Sequence, residues 1–523
     1  MQEANASSLY ASLDAGSKKR LRDFQTQLSS ERLGRVFDQR LKAVLTKFSK
    51  PSFNLGKEVE YLRNLRADDG RLFCRSIKDA KKYCAAIDEF SDRNYTSFRW
   101  NRNYQDTLEE LRRYFGRAQL DQLHFKSEQD IWDAVPRTDT HSGWQFILTG
   151  LKRKGKYRGK VWTMLQESEA KAKKAGSFGS PMLPGLRTQA SGEYDSEGKQ
   201  TGKAKHKTRV VLMVSFDVII NELAFSRPVQ DWMAKQSFYA GGKSDNAISH
   251  YISVMKRNRN YWVSLDYSGY DRSISDWLIE DAFDVIKCCF RSVEEWRWDA
   301  VVHDFIHKTI ISPNGCVRSS KGVPSGSMFT QIIDTVVNLI MIRTLQRSIG
   351  VDGDMMIMGD DNLLFTNDEL NLQDVESYIS KNFGVKVNAD KSSFGSNRQD
   401  PEFLSSTWTV QGRWRHPNLL VSRLLYPERR REYDKYDACP EQVLKSYILT
   451  YPKAMREMMD VEAFNDYCRA NQISEVQWSS DGAAMFLSGS DRYRRLYLGK
   501  ESDKFYGIAK FQAIKPKAGL SIA

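Results

Sequence analysis

The chain has 523 residues, of which 41% are hydrophobic, and a formal net charge of +13. That length allows a large core divided into two or three subdomains, and the basic excess favours a polyanionic partner without specifying a fold. The seven cysteines are odd in number and form no CxxC pair, which argues against a disulfide framework or zinc module and for a reducing compartment.

The first twenty residues contain no apolar core, so no signal peptide is expected. The longest apolar runs, such as Val210 to Ile220, are too short and interrupted to span a bilayer. Residues 1 to about 90 pattern as mostly helical. From Arg93 to Arg117 basic and aromatic residues alternate. Such a stretch fits an amphipathic helix better than a single-strand binding surface. Residues 151 to 160 are strongly basic, and residues 170 to 207 are rich in Lys, Gly, Ser and Pro. The latter composition predicts a long surface loop. It ends in a basic cluster, Lys203, Lys205, Lys207 and Arg209, that runs into a buried strand.

"RNYWVSLDYSGYDRSIS" reads as a strand ending at Asp266, then a turn and a helix. "KGVPSGSMFTQIIDTVVNLIMIRTLQ" reads as a Gly/Pro loop feeding a long helix, with Thr330, Asp334 and Asn338 along one face. That face suits either a recognition surface or contact with water. "DMMIMGDDNLLF" reads as a strand-turn-strand hairpin with Asp360 and Asp361 at its tip. Adjacent carboxylates repel unless a cation lies between them. The pair therefore fits either a polar turn or a hard divalent ion held by oxygen ligands. Asp266, at the end of a separate strand, favours the second, because two strand ends can meet at one sheet edge and hold two metals. From about residue 425 the pattern is again helical.

In this order the motifs closely resemble those of viral RNA-dependent RNA polymerases. "DYSGYD" is similar to motif A, "GVPSGSMFTQIIDTVVN" to motif B, "MGDDN" to motif C, "NADKS" to motif D, "FLSSTW" to motif E, "KHKTR" to part of motif F and "TDTHSGW" to motif G. The wording around "GVPSGS" is most similar to the picobirnavirus and partitivirus group of double-stranded RNA viruses. The resemblance implies an α+β fold, a right hand of fingers, palm and thumb closed by fingertips, its palm an antiparallel sheet with helices. The implied layout is an N-terminal extension over 1–65 and fingers over 66–215, with a fingertip loop at about 150–207. A first palm part over 216–306 and a fingers insertion over 307–323 follow. The second palm part spans 324–420, and thumb and tail span 421–523.

The resemblance also implies roles. Asp266 and Asp360 would be the main metal ligands and Asp361 an accessory one, for two Mg²⁺ or Mn²⁺ ions. Lys391 would protonate the leaving pyrophosphate. Arg209, Lys207 and Lys205 would line the path of the triphosphate. Asp271, Ser325, Gly326 and Thr330 would contact the nucleotide and its 2′-hydroxyl. Asp334 stands where the family often has Asn, and an ionised Asp cannot donate. Either Asp271 is oriented through another partner, or Asn338 takes the role. Ser142 and Gly143 would guide the template. The implied function is RNA-directed RNA synthesis for replication and transcription of a viral genome, able to start without a primer. The implied partners are template, nascent RNA and NTPs, with a capsid protein as a candidate. A monomer without a membrane anchor, in the virion interior and host cytoplasm, is expected.

Three other readings stay in view. A reverse transcriptase shares the palm but usually carries an aromatic residue where Asp271 stands. A non-enzymatic RNA-binding replication protein explains the charge but not three ordered carboxylate sites. "GGKS", Gly241 to Ser244, hints at a phosphate-binding loop, but Ser237 occupies the required first glycine. The tail from Lys500 to Ala523 either enters the product channel or stays disordered.

Overall fold

The computed structural model describes residues 11–30, 79–91, 98–191, 205–409 and 412–415. Most of the expected N-terminal extension, and all of the thumb and tail from 421 onward, lie outside these residues.

The N-terminal half is built on helices α1 (Ala15–Ser29), α2 (Arg102–Gly116), α3 (Trp144–Thr149) and α4 (Val161–Ala175). The basic-aromatic stretch that α2 spans is amphipathic: Tyr104, Leu108, Leu111 and Phe115 are buried. A two-stranded ribbon follows, β1 (Leu183–Ser191) against β2 (Lys205–Met213). The expected long loop over 170–207 is thus corrected at both ends. α4 occupies its start, and 183–191 is extended. "LPGLRTQAS" has little strand pattern of its own, and its backbone is satisfied by pairing with β2.

Next come α5 (Phe216–Met233) and α6 (Asp245–Asn258), then β3 (Tyr261–Ser264), α7 (Asp276–Lys287) and α8 (Glu295–Ile306). The hairpin β4 (Lys308–Ser312) and β5 (Gly315–Ser319) precedes the long helix α9 (Thr330–Ile349). The hairpin β6 (Gly353–Met358) and β7 (Asp361–Thr366), helix α10 (Leu372–Phe383) and β8 (Ser393–Ser396) complete the central unit. Three short strands, β9 (Glu402–Phe403), β10 (Ser406–Thr409) and β11 (Gly412–Trp414), form a small separate sheet.

The central sheet is antiparallel with the order β6-β7-β3-β8. Its side chains alternate between two apolar layers. Val263, Met355, Ile357 and Leu364 join the main core. Trp262, Met356, Leu363 and Phe365 join a second cluster with Ile248, Ile252 and Trp408. Burial on both faces explains why these strands read as continuous apolar runs. Polar chemistry is left to the strand ends.

Helix α9 packs against α2, α7, α10 and β6. Every residue from Ile332 to Ile342 is buried. Asp334 and Asn338 therefore meet protein rather than water and need internal partners, while Thr330, at the head of the same stripe, is half-buried. Among the described residues, no helix is long and apolar enough to cross a membrane.

Candidate active site

The β6–β7 hairpin turns in two residues, since Met358 pairs with Asp361. Gly359 takes a φ of +67° while Asp360 keeps a negative φ, the pattern of a type II′ turn whose twist suits a hairpin. This places Asp360 at the tip and Asp361 at the first position of β7. Both open to solvent on one side.

β3 lies beside β7, with Val263 opposite Leu364. Beyond that pair a side chain continues the ladder. Asn362 Oδ1 accepts the Leu265 N–H at 3.1 Å, and its Nδ2 donates to the Leu265 carbonyl at 3.2 Å. Ser264 Oγ donates to the Asn362 carbonyl at 2.9 Å. Asp266, the next residue, is thereby brought to the same sheet edge as the tip.

Two α9 side chains hold the turn from below. Thr335 Oγ1 accepts the Gly359 N–H at 2.9 Å. Asn338 Nδ2 donates to the carbonyls of Gly359 at 3.0 Å and Asp360 at 3.3 Å. Asn338 Oδ1 accepts the Tyr267 hydroxyl at 3.0 Å, and Tyr267 stacks on Tyr270 with ring centroids 5.0 Å apart. Asn338 is fully buried and both ends of its amide are engaged. It therefore faces the turn rather than a substrate sugar.

The carboxyls raise one another's pKa values. Enclosure by protein pushes Asp361 up to about 7, and the charges of Asp360 and Asp266 add to it. Asp360 is raised by desolvation and by Asp266, and Arg209 opposes the rise. Asp271 is pushed up to about 6 by burial and by Asp360, against Arg209 and Arg272. Asp334 is raised well above the usual range by burial and then by Asp271 and Asp360, and its Oδ1 has no hydrogen-bond partner. Among the described residues, no three His, Cys, Asp or Glu side chains gather tightly enough to hold an ion unaided.

The loop before α9 is pressed onto β2. Ser325 Oγ accepts the Leu212 N–H at 3.1 Å, and a Cβ on Gly326 would stand 2.3 Å from the Leu212 carbonyl oxygen. Only glycine permits that approach. The Thr330 hydroxyl donates to the carbonyls of Pro324 at 2.7 Å and Ser327 at 2.9 Å. Its oxygen remains free to accept from a ligand.

Lys391 is exposed on a turn bonded directly to Asp266. Asn388 N–H donates to the Asp266 carbonyl at 2.7 Å, and Ser392 Oγ accepts the Asp266 N–H at 3.0 Å. Arg209 is exposed on β2, near enough to act electrostatically on Asp271 and Asp360. Lys205 and Lys207 lie on the same strand, with side chains outside the described residues. Arg187, not singled out by sequence, lies directly opposite Arg209 and is also exposed.

One expectation changes, and the phosphate-loop reading that Ser237 had already argued against finds no support. Ser142 is fully buried, with its hydroxyl donating to the Leu151 carbonyl at 2.6 Å. Gly143 adopts a φ of +64°, and a Cβ there would stand 2.5 Å from the Val214 carbonyl oxygen. These two residues shape the segment beneath exposed Lys152 and Arg153, and a direct template contact through the Ser142 hydroxyl does not fit. Lys243 of the "GGKS" stretch donates to the carbonyls of Ala234, Gln236 and Tyr239 at 2.8, 2.6 and 2.6 Å. It closes the chain after α5 and is not poised for a phosphate.

Residues 26–473 match the viral RNA-dependent RNA polymerase family. A stretch of 223 residues, 41% of this chain, is 26% identical to the genome polyprotein of human parechovirus 2 (strain Williamson) and spans 10% of that polyprotein. The RNA-directed RNA polymerase of Cryptosporidium parvum virus 1 is 29% identical over 167 residues, 29% of this chain and 30% of that one. That of Atkinsonella hypoxylon virus is 33% identical over 151 residues, 26% of this chain and 21% of that one. The crystal structure of the RNA-dependent RNA polymerase of a human picobirnavirus superposes with a TM-score of 0.59 at 16% identity. That match covers 91% of this chain and 96% of the other, and it shows a shared right-hand polymerase fold.

Proposed function

The chain belongs to the viral RNA-dependent RNA polymerase family, and from that premise we propose that it copies RNA into RNA by nucleotidyl transfer. The observation that carries the reading is the meeting of Asp266 with the Asp360–Asp361 tip at one sheet edge, facing Arg209.

Asp266 and Asp360, with Asp361, would hold two divalent ions. Asp360 and Asp361 are both raised, first by burial and then by neighbouring carboxylate charge, and cations bound at the tip would relieve that charge. Mg²⁺ takes one or two carboxylates plus water and substrate phosphates, a donor set that an open carboxylate tip can share with a nucleotide. Bound there, such ions would supply charge stabilisation for the attacking 3′-hydroxyl and the departing pyrophosphate.

The chain's own groups do the positioning on which phosphoryl-type transfer mostly depends. Arg209, with Arg187, Lys205 and Lys207, holds the triphosphate, since guanidinium forks match phosphate geometry. Asp271, Ser325, Gly326 and Thr330 receive the sugar, with Asp334 beneath Asp271. Of the two routes open for 2′-hydroxyl reading, the engaged amide of Asn338 favours the one in which another partner orients Asp271, and Asp334 can be that partner only in its protonated form, which burial and the charges of Asp271 and Asp360 favour. Lys391 gives a proton to the leaving pyrophosphate from a turn tied to Asp266. The same reading assigns 216–306 and 324–420 to the palm, 66–215 and 307–323 to the fingers, and 421–523 to the thumb and tail. It also has synthesis beginning without a primer.

The test is RNA synthesis on a single-stranded RNA template with NTPs and Mg²⁺ or Mn²⁺, with and without primer, beside Asp360→Ala. Product from the wild type alone supports the reading, and product without primer supports unprimed initiation. Equal synthesis by Asp360→Ala, or none by the wild type even when primed, would overturn it.

A further inference from the structure

Glu222 lies outside every motif, yet it is only 2% exposed, within α5. Its Oε1 accepts the Ser327 hydroxyl at 2.7 Å, and its Oε2 accepts the Met328 N–H at 2.8 Å. Ser327 passes this on. Its Oγ accepts the Phe329 N–H at 3.0 Å, and its carbonyl accepts the Thr330 hydroxyl at 2.9 Å. The other end of the loop is held by Leu212, through Ser325 Oγ and the close approach at Gly326. Leu212 and Glu222 belong to one stretch of chain, β2 running into α5. The loop is thus fastened at two points to the segment that carries Arg209.

The enclosure of Glu222 is costly. Burial pushes its carboxyl up to about 7, with Asp304 adding, while the two hydrogen bonds and the charge of Lys154 oppose the rise. Lys154 is itself buried, with its ammonium 5.7 Å from the Phe216 ring centroid. A carboxylate held at this cost for packing alone would be outdone by an apolar side chain. A charge-assisted pair of bonds to consecutive residues instead fixes a loop's place closely.

We infer that Glu222 is a positioning residue that sets the sugar-contacting loop 324–330 against the triphosphate-binding strand β2. The inference rests on the polymerase reading. A nucleotide gripped at sugar and triphosphate requires those two surfaces to keep a fixed separation, and small misplacements are expensive.

The experiment is steady-state NTP and dNTP incorporation by the full chain on a primed RNA template, alongside thermal melting. Glu222→Ala is expected to raise the NTP KM about tenfold or more and to lower NTP-over-dNTP discrimination similarly, with kcat changed far less. Glu222→Gln restores one acceptor and is expected to fall between the two. Should Glu222→Ala fail to fold, Ser327→Ala removes only the hydroxyl and carries the test, with a smaller shift in the same two quantities. Wild-type KM and discrimination in whichever of these variants folds would overturn the inference, even with a lowered Tm. A wild type that makes no RNA would overturn the polymerase reading, and this inference with it.

Discussion

Asn362 holds Leu265 by both edges of its backbone amide, and Leu265 immediately precedes Asp266. The side chain does the work of one more rung between β7 and β3, at the point where the two strands part. One buried amide thus extends the β3–β7 pairing to the residue next to Asp266.

Asn362→Ala leaves a buried N–H and a buried carbonyl without partners, at about 1–3 kcal/mol each. We expect a loss of about 2–6 kcal/mol in denaturant unfolding and a fall of roughly a hundredfold in single-turnover incorporation. Asn362→Asp keeps an acceptor but turns a carboxylate oxygen toward the Leu265 carbonyl and adds a buried charge beside the tip, so an effect at least as large is expected. A folded Asn362→Ala with wild-type turnover would show that Asp266 is placed by other means.

Lys391→Ala is expected to slow turnover by about 10²-fold or more while leaving the nucleotide KM near its wild-type value. The exposed side chain lies on a turn whose bonds to Asp266 run through Asn388 and Ser392, so the substitution would remove the proposed proton donor and leave those bonds in place. The check is the pH–rate profile: a variant that keeps the wild-type rate and basic limb rules the acid role out.

Sugar selection separates two neighbours on α9. Asp271→Ala and Asp334→Ala are expected to lower NTP-over-dNTP discrimination by about tenfold or more. Asn338→Ala is expected to cut the rate for both sugars alike, because its amide holds the turn at Gly359 and Asp360. Competition assays with paired NTP and dNTP give the answer. Relaxed selectivity at full rate in Asn338→Ala would reverse the assignment.

Acid sensitivity has a defined source in His141. Its Nδ1 accepts the Gly143 N–H at 3.0 Å. Burial first, then Lys152 and Lys154, push its pKa down from 6.5 to about 4. The unfolded chain binds this proton first as pH falls. The stability His141 contributes is thus complete above about 6.5 and is lost as pH falls toward 4. The amount is of order 3 kcal/mol. His141→Asn keeps an acceptor without a titrating group, so its urea midpoint is expected to fall less between pH 7 and pH 4. An unchanged pH slope would place the linkage elsewhere.

Much of the central unit is legible in the sequence because its chemistry is local. Gly359 announces the turn, the apolar runs announce strands buried on both faces, and the Gly/Pro loop before Thr330 announces a helix start. Residues that act through distant partners are silent. Asn362 looks like a turn residue, Thr335 like helix filler and Glu222 like a surface charge until the fold gives each its neighbour. β1 is silent for the same reason, since its strand character comes from β2. Ser142 shows the opposite failure, a polar residue in a suggestive place whose hydroxyl is spent on its own chain. A helical wheel of α9 distinguishes a polar face, but only the packing of α2, α7 and α10 around it shows that this face is internal.

The strand order β6-β7-β3-β8 has a consequence for biosynthesis. β3 leaves the ribosome about 100 residues before β7, its neighbour on one side, and still earlier than β8 on the other. At roughly 5–20 residues per second, Asp266 waits about 5–20 s for Asp360 to emerge. Until then β3 exposes two unpaired edges, the state in which nascent chains are most open to wrong pairing. A chain interrupted before residue 396 lacks a complete β8, and so cannot complete the pairing that covers the second edge of β3, the strand leading to Asp266. Catalytic competence thus arrives late in translation, and prematurely terminated chains would be inert rather than error-prone.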